Sequence, residues 1–382
     1  MIRTDFPYWR LSGFYFFYFA FVGAFAPYWS LYLKSLSFSA LEIGILMSLL
    51  QVMRMFAPAA WGWLADRTGK RLAIVQFGAV LGLVTYAGVF LGSSFYWLFL
   101  VMALMSFFWS ASLPLVESMT LTHLGESAAK YGRIRSWGSL GFIAAVIGVG
   151  YLLDVVAIGY LLWAVLGLKI GIVVFSRQIP ESVAVPHSTD SLPVTDILRR
   201  PEVIAFFTAC FLMAAAHGPY YTFFSIYLAD HGYAKGAIGW LWALGVICEI
   251  GVFFLMPRLM RRFSLKRILA VSFGCAVVRF LLIGFAVDVI ALMLIAQALH
   301  AATFGSYHAT AVAVVHQFFR GRHQAKGQAF YTSLSFGAGG TVGGFLSGAA
   351  WESIGPGLTF TASAAAALAG MLLVGWKLKL ER

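Results

Sequence analysis

The chain has 382 residues, of which 61% are apolar and 11% charged, whereas an ordinary soluble domain carries roughly 25% charged residues. That balance excludes a soluble enzyme domain and a disordered tail, and three cysteines exclude a disulfide scaffold. The net charge of +12 raises nucleic acid as a partner, so the placement of the cations decides the matter.

A bilayer-spanning helix needs about 20 apolar residues. Apolar runs between charged or Gly/Pro punctuation predict spans at 9–33, 42–64, 72–92, 96–120, 136–156, 159–177, 203–228, 237–259, 268–286, 289–316, 328–350 and 357–376. The first run contains Ala24-Phe25-Ala26, a pattern like a signal-peptidase site. Pro27 follows it and the run is long for a signal segment, so a retained helix is expected. Cys210, Cys248 and Cys275 fall inside predicted spans, where a thiol acts as a small apolar residue.

Only Lys34 and Lys235 fall in loops on one side, and Arg54, Lys169 and Arg279 fall within spans. The remaining Lys and Arg all lie on the other side, which the positive-inside rule makes cytoplasmic, with both termini there. The basic charge therefore reflects topology in a lipid bilayer, and no nucleic-acid partner is expected.

Shifting the chain by 195 residues lays Tyr28-Trp29-Ser30-Leu31-Tyr32-Leu33 over Phe223-Phe224-Ser225-Ile226-Tyr227-Leu228. Ile43-Gly44 then falls on Ile238-Gly239, Arg67 on Arg262 and Gly132 on Gly327. Six spans are duplicated, and because six is even both copies share one orientation. This parallel repeat of two six-helix bundles is the plan secondary transporters build around a midplane site. The expected domains are a bundle over 1–178, a cytoplasmic linker over 179–202 with Pro180, Pro186 and Pro193, and a bundle over 203–382.

The first cytoplasmic loop reads Gly62-Trp63-Leu64-Ala65-Asp66-Arg67-Thr68-Gly69-Lys70-Arg71 and resembles the loop signature of the major facilitator superfamily. The resemblance implies an all-α membrane protein of that fold, with 12 transmembrane helices, and a gating role for Asp66, Arg67, Gly69 and Arg71. Physically, Gly69 permits a tight turn and Asp66 offers a charge to a neighbouring helix end. The second copy has Arg261 where Asp66 would fall, so an Asp-dependent latch belongs to one half.

Val116-Glu117, with Arg135 in Tyr131-Gly132-Arg133-Ile134-Arg135-Ser136-Trp137-Gly138, is similar to the lactose permease group of proton symporters, as are Leu299-His300 and Trp351-Glu352-Ser353-Ile354-Gly355. Within that clan the chain resembles the phenylpropionate permease family. The residues that carry this are His217, Tyr220-Tyr221, Tyr227, Gly232-Tyr233, Leu241-Trp242, Leu244-Gly245-Val246, Glu249, Val278-Arg279, Gln297, Thr303-Phe304 and His308. One departure stands out: sugar-transporting relatives carry a carboxylate three residues after the histidine equivalent to His300, and here that place is Thr303.

A charge at the bilayer midplane costs about 2.5–3.5 kcal/mol on insertion scales, so ionisable groups inside spans are candidates by default. They are Arg54, Glu117, Lys169, Glu249 and Arg279. A carboxylate beside a cation stays ionised, and it takes a proton when substrate or movement withdraws the cation. Glu249 with Arg279, and Glu117 with Arg135, are the pairs expected to do this; the plainer alternative for each is a structural ion pair. Lys169 has no family match and is left unassigned. His217 and His300 are expected to relay a proton or donate to an anion. Trp29, Tyr220, Tyr221, Tyr227 and Trp242 flank these polar residues and suit a phenyl-bearing ligand. The glycines of 337–348 predict close helix packing rather than a phosphate loop. No closely spaced metal-ligand cluster and no nucleophile and base constellation is present, so neither metal, cofactor nor enzyme activity is expected.

The expected function is a monomeric inner-membrane secondary transporter and proton symporter. The family resemblance implies a small aromatic carboxylate such as 3-phenylpropionate as cargo. The substrate-binding set is Trp29, Arg54, Arg135, His217, Tyr220, Tyr221, Trp242 and Arg279; the proton-coupling set is Glu117, Glu249 and His300. The alternatives are transport of a nucleoside, sugar or other small solute, or a membrane receptor without turnover.

Overall fold

The computed structural model describes residues 6–181 and 194–380. Both extreme termini, and Pro186 and Pro193 of the expected linker, lie outside the described residues. The helices before the linker are α1 (Tyr8–Ser35), α2 (Ala40–Thr68), α3 (Arg71–Ala87), α4 (Phe95–Leu124), α5 (Tyr131–Val155) and α6 (Tyr160–Ser176). After a one-turn helix at Thr195–Leu198 come α7 (Pro201–Asp230), α8 (Lys235–Arg262), α9 (Leu265–Phe285), α10 (Ile290–Phe318), α11 (324–351) and α12 (Gly355–Lys377). Among the described residues ten helices are long and apolar enough to cross a membrane, and α6 is a shorter apolar one. The chain is an all-α, multi-pass membrane protein.

The helices overrun the apolar runs at several ends. α5 begins at Tyr131 instead of 136, so Arg133 and Arg135 stand on its first turns rather than in a loop. An apolar-run criterion stops at the first charge, whereas a helix continues into the headgroup region, where charged tips are solvated.

The repeat is visible in the backbone. Helices begin at Ala40, Phe95 and Tyr160, and again 195 residues later at Lys235, Ile290 and Gly355. Ser37 (φ 63°) and its counterpart Gly232 (φ 80°) both stop the first helix of their copy in the left-handed region. α4 breaks after Trp109 and resumes at Ser112; α10 passes through a π-helical stretch, Ala301–Ser306, and resumes at the equivalent Tyr307. The second copy carries further irregularities. α7 is interrupted at His217, because Pro219 has no amide hydrogen to give the preceding turn, and α11 contains a second π-helical stretch, Thr332–Gly339.

The described chain divides into two compact units. The first comprises Met1–Phe38, Phe56–Ser188 and Ala234–Gly239; the second comprises Ser39–Met55, Thr189–Tyr233 and Trp240–Arg382. The division therefore falls within α2 and near the start of α8 as well as at the linker. In the first unit, a Cβ at Gly23 would reach the backbone of Phe142, and one at Gly141 that of Phe16, so α1 lies directly on α5. In the second, Gly339 and Gly343 stand against the backbones of Phe211 and Ala215, and Gly44 against Gly348. Lipid tails offer no hydrophobic drive between helices, so such close backbone approach is what holds them.

A buried cation and an acid–histidine pair

Arg279 projects from α9 inside the second unit with 0% exposure. Its Nε donates to the carbonyl of Ala296 (3.0 Å) and its Nη1 to the Thr303 hydroxyl (3.3 Å). The guanidinium carbon lies 4.0 Å from the centre of the Tyr220 ring, and Nη2 has no hydrogen-bond partner. Every one of these partners is neutral. A buried cation whose charge no carboxylate meets is costly, and an arriving anion relieves that cost.

The groups around it form one network. Tyr220 donates its hydroxyl to Gln297 Oε1 (2.9 Å), and Gln297 Nε2 is buried without an acceptor. His217 ends the first half of the interrupted α7, with Nδ1 2.8 Å from the Met213 carbonyl and Nε2 3.4 Å from Thr303 Oγ1. Trp242 donates Nε1 to Ser225 Oγ (3.0 Å) and sets its ring 4.7 Å from Tyr220. Gln51, His217, Tyr221, Thr303, Phe304 and Phe336 line a cleft in this unit. Arg54 reaches its edge by donating to Gln51 Oε1 (3.2 Å). Both π-helical stretches border the cleft, and such bulges recur at functional sites because they turn side chains out of regular register.

Glu249 of α8 lies 3.9 Å from His300 Nε2, with its side chain 17% exposed. Glu249 thus faces His300, while Arg279 is held by Ala296, Thr303 and Tyr220. Two glycines make the approach of α8 and α10 possible. A Cβ at Gly245 would stand 3.2 Å from the His300 ring, and one at Gly305 would stand 3.1 Å from Glu249 Cγ. An acid facing an imidazole attracts it only when the imidazole is protonated, so the pair is a place where a proton changes the local charge.

In the first unit Arg135 Nε meets Glu117 Oε1 at 3.7 Å, with side chains 32% and 36% exposed. Tyr131 also donates to Glu117 (3.1 Å), and the Arg135 guanidinium lies 3.9 Å over Phe19. Trp29 is fully enclosed in the same unit, stacked on Phe25 at 4.7 Å and donating Nε1 to the Met102 sulfur (3.2 Å). The structure thus brings Arg54, His217, Tyr220, Tyr221, Trp242, Glu249, Arg279 and His300 into the second unit, and Trp29, Glu117 and Arg135 into the first. At the loop after α2, Gly69 takes φ +67°, Arg71 Nη2 lies 3.5 Å from Asp66 Oδ1, and Arg67 lies over Trp63. Arg71 is buried and also donates to Ser118 (3.4 Å), so the loop is tied to α4.

Thr303, Gln297, Gln51 and the two packing glycines were not singled out as site residues. The available signal was an amide or hydroxyl inside an apolar span, which is weaker than a full charge because it costs less to bury.

The family model described as MFS_1 like family matches residues 8–362. The chain belongs to that family, and so to the major facilitator superfamily. A protein of Escherichia coli (strain K12) described as a probable 3-phenylpropionic acid transporter is 27% identical over 96% of each chain. A maltose permease of Geobacillus stearothermophilus is 26% identical, covering 87% of this chain and 86% of its own. The crystal structure of the nucleoside transporter NupG superposes with a TM-score of 0.84 at 18% identity, over 98% of this chain and 99% of that one. This major facilitator protein is accordingly a transporter. Among the described residues no group of three metal-ligating side chains is found.

Proposed function

We propose that this chain is a proton-coupled symporter of the inner membrane, with cytoplasmic termini, that takes up a small aromatic carboxylate such as 3-phenylpropionate. The observation that carries the reading is Arg279, enclosed with neutral partners only and with Nη2 unpartnered. A carboxylate is the group that completes a guanidinium fork. Thr303 strengthens the point: the side chain that meets Arg279 Nη1 is a hydroxyl, which leaves the charge of Arg279 for the cargo. The rings of Tyr220, Tyr221 and Trp242 supply apolar surface for a phenyl group. The relative described as a probable 3-phenylpropionic acid transporter supports the same cargo.

In the mechanism, a proton enters on the Glu249–His300 pair and the carboxylate docks at Arg279. The six-helix bundles over 1–178 and 203–382 then exchange which side the site faces. The loop of Asp66, Arg67, Gly69 and Arg71 serves as the inner latch.

A second reading keeps the transporter and makes the cargo a nucleoside or other neutral polar solute. The unpartnered Gln297 amide and the Gln51 amide favour it, since both hydrogen-bond hydroxyls and base edges. The cargoes named for the proteins it resembles lean this way too, a nucleoside and maltose against one aromatic acid.

Counterflow into proteoliposomes separates the two, with flux into protein-free vesicles subtracted because the protonated acid crosses lipid unaided. The first reading expects saturable overshoot of radiolabelled 3-phenylpropionate that disappears in Arg279→Gln. Overshoot with uridine and none with the acid would replace it by the second.

A further inference from the structure

Lys169 lies in α6 of the first unit, at 3% exposure. Its ammonium stands 4.2 Å over the centre of the Phe21 ring and 5.7 Å from that of Tyr86. α1, α3 and α6 contain no acidic residue, and the single acid of α4, Glu117, is engaged by Arg135 and Tyr131. Contact with a ring face recovers only part of the hydration an ammonium loses, so the charge is left without a counter-ion.

A second donor is orphaned at the same ring. Trp109, the last residue before the break in α4, is buried with Nε1 unpartnered. Its indole stacks on Tyr18 at 4.7 Å and meets Phe21 edge-on at 5.4 Å. Between the ammonium and α4 stands Gly82: a Cβ there would lie 3.9 Å from Lys169 Nζ and 3.6 Å from the Trp109 amide nitrogen. With Met105 O also 3.9 Å away, α3, α4 and α6 meet at Gly82, where no side chain separates the ammonium from α4.

We infer that Lys169 and Trp109 form an anion-binding point in the first unit that takes the carboxylate of a small aromatic acid. The ammonium and the indole N–H supply two donors, and Phe21, Tyr18 and Tyr86 supply the apolar wall for the ring. The inference shares the cargo class of the proposed function but not its site, and it gives the first unit its own specificity residue.

The test is thermal unfolding and intrinsic tryptophan fluorescence of the purified full chain with 3-phenylpropionate and its neutral amide as probes. The proteins compared are wild type, Lys169→Met, Lys169→Arg, Gly82→Ala and Arg279→Gln. Lys169→Met removes an unpaired charge, so without ligand it is expected to melt no lower than wild type. Its affinity for the acid falls about tenfold, while that for the amide is unchanged. Lys169→Arg retains most of the affinity, and Gly82→Ala, which sets a methyl 3.9 Å from Lys169 Nζ, weakens it.

Acid binding that survives Lys169→Met intact overturns the inference, as does a wild-type chain that binds no carboxylate. Should Lys169→Met fail to fold, unchanged acid binding in Gly82→Ala overturns it equally. Loss in Arg279→Gln alone leaves the proposed function standing and removes this one; loss in Lys169→Met alone does the reverse.

Discussion

In the first unit Glu117 and Arg135 meet at 3.7 Å with about a third of each side chain exposed, whereas in the second unit Arg279 is enclosed among a carbonyl, a hydroxyl and a ring. The acid of α8, Glu249, faces His300 instead. Opposite charges that satisfy each other near solvent form a pair the protein can leave undisturbed, worth about 0–1 kcal/mol. A cation without an acid, beside an acid that faces a titratable ring, is an arrangement completed only by something arriving from outside. On the proposed reading, the contrast places proton exchange and the Arg279 contact with the carboxylate in the second unit and gives the Glu117–Arg135 pair a supporting role.

The largest effect that tests this contrast is expected at Arg279. Removing one partner of a buried, hydrogen-bonded charge pair costs about 2–5 kcal/mol. Arg279→Gln should therefore lower acid counterflow by about a hundredfold, and wild-type flux in that variant would end the contrast. Next comes Glu249→Gln, which should abolish accumulation driven by an inward proton gradient while leaving exchange intact. Wild-type accumulation should rise as external pH falls from 8 to 6 at fixed internal pH, since the inward proton gradient grows, and the variant should show a flat profile. Thr303→Asp should follow, because it supplies within the protein the carboxylate that Arg279 lacks. Acid binding measured by fluorescence titration is expected to weaken at least tenfold, about 1.4 kcal/mol.

Smaller again is Gly245→Ala, whose methyl would stand 3.2 Å from the His300 ring and must displace it slightly. A change of a few fold in the proton dependence of uptake, with cargo affinity unchanged, is expected for a variant that costs about 1–3 kcal/mol of packing. The smallest effect belongs to Glu117→Gln, whose half-solvated pair should alter acid affinity by less than about fivefold. A larger loss would mean that the Glu117–Arg135 pair shares the load and would erase the distinction drawn between it and Arg279.

Much of the architecture was legible before any coordinates, because a span must be apolar along its whole length and a duplicated sequence keeps its spacing. The predicted runs fall on helices, and the shift that aligns Tyr28 with Phe223 also aligns the helix starts Ala40 and Lys235. The same shift places Arg54 on Glu249, so one position of the repeat carries a cation in one copy and an acid in the other. The ionisable residues inside the spans were legible too, because a charge there stands out against its neighbours.

What the sequence by itself determined is a multi-pass helical protein with an internal repeat, a one-sided distribution of cations and a short register of intramembrane charges. Which charge faces which partner was decided only in the folded chain. Glu249 and Arg279 lie on α8 and α9, yet their partners come from α7 and α10, through the interruption at His217 and the π-helical turn that holds Thr303. The interruption follows from Pro219, whereas the π-helical turn lies where helices approach closely, at contacts such as Gly245 to His300 and Gly305 to Glu249. Hydropathy and spacing record the character of each helix along its own axis, while the pairing of buried charges depends on how neighbouring helices are rotated, and tertiary contact sets that rotation.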